Sequence, residues 1–416
     1  MAIVIQQAPS QGSPSGYDIA PAYNDIVYVV DSNNTSQPNF RYLADIYISG
    51  VSSFIRMRKP PHPVTDDGIF DVHRIIEKYV TVDIDASTYG FQTNNNSWRQ
   101  YQIKFGEEYG ISSGITQYPD LIVAGSGDII NAAPTFIKWK DYASSDYKLL
   151  SSNRSFLTYS PDEQEIFANE NAWLHMIQNS SGDVYYGRII SYDSNDALID
   201  ELWVINPYTD ALANPNGEYL RFGCGTRNLG LIDASLITNG SPPLLPAGTA
   251  KYEVTMLNAS LAVSSKTKTY VITDACNKFT HYRLHFLNRL GGIDSYTFTM
   301  ASQTTIEINR SEFKNKVGTA TATTFNYAKS DREDTVLFSK TRETIILETD
   351  FVSEDVIEWL EELITSPLVF WDSGNDILIA VNIEDTAYER KTHEREKVIN
   401  MKIKIKKAFI NESQRA

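Results

Sequence analysis

Hydrophobic positions along this chain recur at a spacing of two. In Tyr101–Phe105, Tyr101, Ile103 and Phe105 fall on one side and Gln102 and Lys104 on the other, the mark of a half-buried strand. Similar short runs, rich in aromatic and β-branched residues and bounded by turn formers, occupy 25–31, 40–50, 81–87, 184–192, 201–205 and 218–224. After residue 250 the pattern is cleaner, with strands expected at 251–257, 268–273, 282–287, 294–300 and 304–310, then at 367–372, 376–383 and 397–408. That spacing predicts an all-β sandwich or barrel.

Helical spacing appears in three places. Asp71–Val80 reads as a short helix capped by Asp71, with Ile75, Ile76, Tyr79 and Val80 on one face. Ser160-Pro161-Asp162-Glu163 reads as a helix start with a capping box, the helix running to about Asn169. Ser353 reads as the cap of a helix over 353–366, with Glu354 and Asp355 in its first turn and Val356, Trp359, Leu360 and Leu363 forming its apolar stripe; Pro367 ends it. The fold class expected is mainly β: a multi-domain antiparallel β-sandwich or barrel architecture with a few short helices. Three prolines and two glycines between Asn239 and Gly248 mark the strongest boundary. The expected organisation is a flexible arm over 1–16, a β-rich domain over 17–110, an irregular β-rich region over 111–245 and a C-terminal β-sandwich over 250–416 with the inserted helix.

Composition narrows the function classes. The 416 residues are 42% hydrophobic and 21% charged, the range of a globular protein. A net charge of −15 is the opposite of what general or sequence-specific nucleic-acid binding requires. No apolar run is long enough for a membrane-spanning helix, and the start lacks the basic region of a secretory signal. Cys224 and Cys276 read as two buried thiols rather than a disulfide framework. Charge is uneven: residues 386–416 hold nine Lys/Arg against four Asp/Glu. In the last strand Met401, Ile403 and Ile405 alternate with Lys402, Lys404 and Lys406. Two readings of that lysine row stand side by side, protection of an edge strand and docking onto an acidic neighbour.

Candidate chemistry is thin. His281 and His285 with Cys276 offer a metal pair, but a four-residue offset on a strand separates the Cα atoms by about 13 Å, too far for one zinc. Asp83 and Asp85 share a face, as a carbohydrate hydrolase would need, but the spacing equally suits a solvated strand. The Gly-Ser-Gly at 125–127 lacks the third glycine and helix of a phosphate loop. Cys224, within Gly-Cys-Gly, has no base beside it in sequence. No catalytic, cofactor-binding or metal residue is assigned. The expectation is a protein that is not an enzyme and takes no cofactor. A glycan- or receptor-binding module is the alternative, with Trp98 or Trp139 as a platform.

Two segments, Tyr17–Val30 and Tyr282–Phe298, resemble segments of tail and baseplate proteins of tailed bacteriophages, particularly those of Bacteroidetes-type hosts. The Pro/Gly/Ser-rich start and the acidic Asn/Ser/Thr/Tyr-rich β-chain resemble that group too. The resemblance implies a non-enzymatic virion component, made in the host cytoplasm and located in the tail. Such a protein forms a cyclic homo-oligomer, of tail hub, distal tail or adaptor type, and joins neighbouring tail proteins. Tyr17, Tyr23, Lys402, Lys404 and Lys406 are the candidate interface residues.

Overall fold

The computed structural model describes residues 3–9, 19–87, 89–111, 114–117, 122–209, 218–273, 278–384 and 398–414. The architecture is mainly β with a few short helices, and among the described residues no sheet closes into a barrel. The chain divides into two units. The first comprises Met1–Asp274 with Leu287–Ser295, and the second Ala275–Phe286 with Tyr296–Ala416.

The first unit contains two sandwiches. In one, a three-stranded sheet (Ile3–Gln7, Val27–Ser32, Gly68–Asp71) faces a larger sheet built on Trp98–Ile111, Arg41–Ile48 and Ile122–Ile130. Period-2 alternation supplies the core between them: Tyr28, Val30 and Phe70 from one sheet meet Tyr42, Ala44, Ile46, Ile103 and Phe105 from the other. The expected N-terminal arm therefore contributes a strand at Ile3–Gln7 with Ile3 buried; residues 10–16 and Tyr17 lie outside the described residues.

The second sandwich pairs a four-stranded sheet (Lys148–Leu149, Trp173–Gln178, Glu218–Gly223, Phe91–Thr93) with a six-stranded sheet built on Tyr186–Tyr192, Leu198–Ile205, Lys251–Leu257 and Lys268–Ile272. Lys251–Leu257 pairs along its length with Tyr186–Tyr192. The proline-rich stretch at 239–248 is thus a connection inside this unit, and the boundary expected there moves to the region after 273.

Trp173–Gln178 is buried at every position. Leu174 and Met176 face the core of the second sandwich, while Ile177 faces a separate cluster with Ile19, Ile130, Leu157 and Tyr219. A strand buried on both faces has no reason to alternate. The helix expected from Ser160 is a strand, Glu163–Ile166, paired in parallel with Lys268–Ile272. The Lys268 ammonium decides this locally: Nζ donates to the carbonyls of Ser160 (2.8 Å) and Pro161 (3.0 Å) and lies 3.0 Å from Asp162. Carbonyls turned onto an ammonium leave the segment outside a helix. At Asp71, a one-turn helix, His73–Ile76, and a 3-10 turn, Glu77–Tyr79, replace the longer helix expected.

Among the described residues, the second unit is built on one long sheet with a helix on it and two short two-stranded pieces, where a second large sheet was expected. Its order is Ile293–Phe298, Tyr282–Leu287, Val369–Asp372, Leu378–Ile383, Lys402–Lys407, Asp334–Glu348 and Gln303–Lys314. The helix runs over Glu354–Thr365 with Ser353 at the N-cap, as its sequence predicts, although the Ser353 side chain makes no capping bond. Ile357, Trp359, Leu360 and Leu363 are buried on it, against Leu284, Phe286, Ile345, Leu347, Ile403 and Ile405 from the sheet.

Tyr282–Phe298 is a strand, a tight turn and a strand. Gly291 in the turn has φ +86°, and an added Cβ would sit 2.5 Å from the Asn131 carbonyl oxygen, so only glycine fits. Tyr219 Oη donates to the Gly291 carbonyl (2.7 Å), and Asn288 donates to that of Leu157 (2.8 Å).

Candidate docking surface

The most exposed element is a β-ribbon in the second unit. Gln303–Lys314 pairs with Asp334–Glu348 from Gln303 opposite Ile346 to Lys314 opposite Asp334. Twelve residues at about 3.3 Å each make a ribbon about 40 Å long. On its other side Asp334–Glu348 pairs with Lys402–Lys407 only at Thr344–Glu348, and with Asn411–Glu412 at Lys340 and Thr341. Beyond that it is paired with Gln303–Lys314 alone.

Register sets what the ribbon presents. Ile345 and Leu347 point to the helix-covered face and are fully buried. Directly paired residues share a face, and faces alternate. Thr304, opposite Ile345, then Ile306 and Ile308 therefore continue that core face outward. Nothing among the described residues covers them: Ile306 is 61% exposed and Ile308 51%. Farther out, Phe313, Phe325 and Val336 are exposed, and Tyr327 is 74% exposed. Gln303–Lys314 is also the last strand of its sheet, so its outer backbone groups have no ladder partner among the described residues. Residues 313–330 carry Lys314, Lys316 and Lys329 and no Asp or Glu.

The opposite face of the same sheet carries the lysine row. Lys402–Lys407 lies between two strands, so edge protection does not explain its lysines. Met401, Ile403 and Ile405 are buried as their alternation predicts. Lys404 and Lys406 are answered at home: Lys404 lies 2.8 Å and Lys406 2.5 Å from Glu384, and Lys406 lies 3.2 Å from Glu307. These bonds hold the Glu384 carboxyl below the ordinary carboxylate range and raise both lysines. Lys402 is exposed and has no ion-pair partner among the described residues. A shallow hollow of about 390 Å³ beside them is lined by charged side chains, among them Glu307, Lys340, Arg342 and Lys406, together with Ile308 and Ile410. Tyr23, the remaining candidate, is half exposed in the first unit, where burial and then the charge of Glu77 raise its hydroxyl.

Several of the chemical candidates are bonded within their own surroundings. His285 is fully buried, its Nε2 3.3 Å from Asp372; burial would raise the Asp372 carboxyl, but His285 and the Gly374 N–H outweigh it and hold it low. His281 precedes the strand, and Cys276 lies outside the described residues. Asp83 accepts from Asn96 and Asp85 from Ser87, in a segment that is not a strand. Cys224 is buried with Sγ 3.1 Å from Tyr270 Oη. Sequence reasoning missed a grouping of Asp25, Asp71 and His73, whose ligand atoms lie within 4.8 Å of one another. There Asp71 is committed locally, with His73 Nδ1 2.7 and 2.8 Å from its two oxygens and the Ile26 N–H donating to it.

The ribbon itself was half legible. Thr304–Arg310 alternates as a strand, but only the pairing register shows that its isoleucines lie beyond the reach of the helix. Compared with known proteins, the chain matches no family model and no curated protein sequence. Among the described residues, no helix is long and apolar enough to cross a membrane.

Proposed function

We propose that this chain is a structural protein that works through complementary surfaces and not through turnover, assembling into a cyclic homo-oligomer in the tail or baseplate of a tailed bacteriophage. The observation that carries the assembly part is the ribbon's uncovered core face at Ile306 and Ile308. A two-stranded ribbon is marginal alone in water, and apolar side chains on a long flat edge invite association unless a partner occupies them. The phage assignment rests on the resemblance of Tyr17–Val30 and Tyr282–Phe298. Light scattering on the purified full chain, followed by negative-stain imaging of the main peak, tests the reading. A closed oligomer with ring views is expected; a single-chain mass at every concentration overturns it.

A receptor- or glycan-binding reading has one observation of its own. The short helix Phe136–Lys140 exposes Phe136 and Ile137, with Trp139 5.8 Å from Phe136 and the Lys140 ammonium over both rings. Aromatic faces with an adjacent cation suit sugar rings. Saturable binding on a glycan array, lost in Trp139→Ala, would favour this reading.

A further inference from the structure

The two units differ sharply in charge. The first holds 19 Lys/Arg against 31 Asp/Glu, a net −12, and the second 18 against 21, a net −3. The most basic stretch of the ribbon, residues 313–330, is net +3. It combines Lys314, Lys316 and Lys329 with exposed Phe313, Phe325 and Tyr327. Lys316 Nζ sits 5.0 Å over the Phe325 ring, and Lys314 has only a 4.0 Å contact with Glu333.

The first unit carries a feature of matching size and opposite sign. The hairpin joining Tyr186–Tyr192 to Leu198–Ile205 spans Asp193, Asp196, Asp200 and Glu201 with no Lys or Arg. Lys251, on the neighbouring strand, lies 2.5 Å from Asp196, which leaves three carboxylates in surplus. Between them stand two exposed apolar side chains, Leu198 at 63% and Ile199 at 37%. Leu202 and Val204 are buried in the core, whereas Leu198 pairs with Tyr192 beyond a register shift that takes it off their face and leaves it in water.

We infer that the basic, aromatic end of the ribbon (Phe313, Lys314, Lys316, Phe325, Tyr327, Lys329) docks on the acidic, leucine-bearing hairpin 193–201 of a second copy of this chain. This inference rests on the assembly reading above and names the surfaces. The charges are complementary, about three on each side, and each surface supplies apolar side chains that its own unit leaves in water. Exposed ion pairs are individually weak, so the charges select and orient the partner while the aromatic and aliphatic contacts hold it. The contact is heterologous, because the two surfaces are different parts of one chain. Repetition of a heterologous contact produces a ring when the rotation closes.

Charge exchange tests this on the full chain, with mass read by light scattering. K314E/K316E/K329E and D200K/E201K are each expected to run at single-chain mass under conditions where the parent assembles. An equimolar mixture of the two is expected to assemble again, since every ribbon then finds an opposite hairpin. If the parent assembles and both variants keep its mass, the docking surfaces are wrong and the assembly reading stands. If the parent remains a single chain at every concentration, both fail together. Asp200 and Glu201 also bond within their own strand, so a crosslink guards against misfolding. K316C chains mixed with L198C chains are expected to form a disulfide-linked dimer above the parent's background. An assembled mixture without that product overturns the inference.

Discussion

At the scale of single residues, burial of charge-bearing groups dominates. His175 lies in the first unit's interior with Nδ1 3.3 Å from Tyr219 Oη and no bond to Nε2. Burial first, then the Arg221 charge, lowers it from 6.5 to about 3. The folded state keeps it neutral, while the unfolded chain takes up a proton near 6.5. Between those values the unfolded state binds one proton more, so stability falls on acidification by about 1.4 kcal/mol per pH unit. Denaturant unfolding at pH 7 and pH 5 should therefore show a loss about 2 kcal/mol smaller in His175→Phe than in the parent. Lys268 is the second case. Burial lowers its proton affinity despite Asp162, yet it holds the carbonyls of Ser160 and Pro161. Lys268→Met should cost about 3 kcal/mol in denaturant unfolding, because those buried acceptors lose a charged donor.

At the scale of elements, the helix Glu354–Thr365 and the ribbon make opposite predictions. Trp359 is buried, with ring centroids 5.8 Å from Phe286 and 6.1 Å from Tyr296. Trp359→Ala should destabilise the second unit by about 3–5 kcal/mol, read as a shift of its unfolding midpoint. The isoleucines of the ribbon, exposed in a single chain, should behave otherwise. Ile306→Thr with Ile308→Thr should leave unfolding of the dilute chain within about 0.5 kcal/mol of the parent while weakening assembly. A large loss of stability there would mean the ribbon packs within its own chain. The lysine row teaches the same distinction: alternation in Met401–Lys406 predicts the buried face, but only strand order shows a central strand whose Lys404 and Lys406 meet Glu384 and Glu307.

At the scale of the whole molecule, the two units differ in charge, one bearing a ribbon with a basic end and the other an acidic hairpin. Carboxylates outnumber basic groups by 15 over the chain, so uniform self-association is opposed by repulsion. Contacts that pair the local basic surface with the acidic one escape that penalty, which favours a directional oligomer over an aggregate.

What the residues alone determined was the class of structure: period-2 alternation, short runs between turn formers and one amphipathic helix with Ser353 at its start produce a mainly-β chain whatever its tertiary arrangement. Several things were decided only in three dimensions. Whether Ser160-Pro161 opened a helix depended on Lys268, over a hundred residues away. The boundary signal at 239–248 lost to strand pairing between Lys251–Leu257 and Tyr186–Tyr192. Trp173–Gln178 gave no alternation because two cores use its two faces. The exposed face of the ribbon belongs to the same group: Ile306 and Ile345 look alike in sequence, and only register and the reach of the covering helix make one a core residue and leave the other in water.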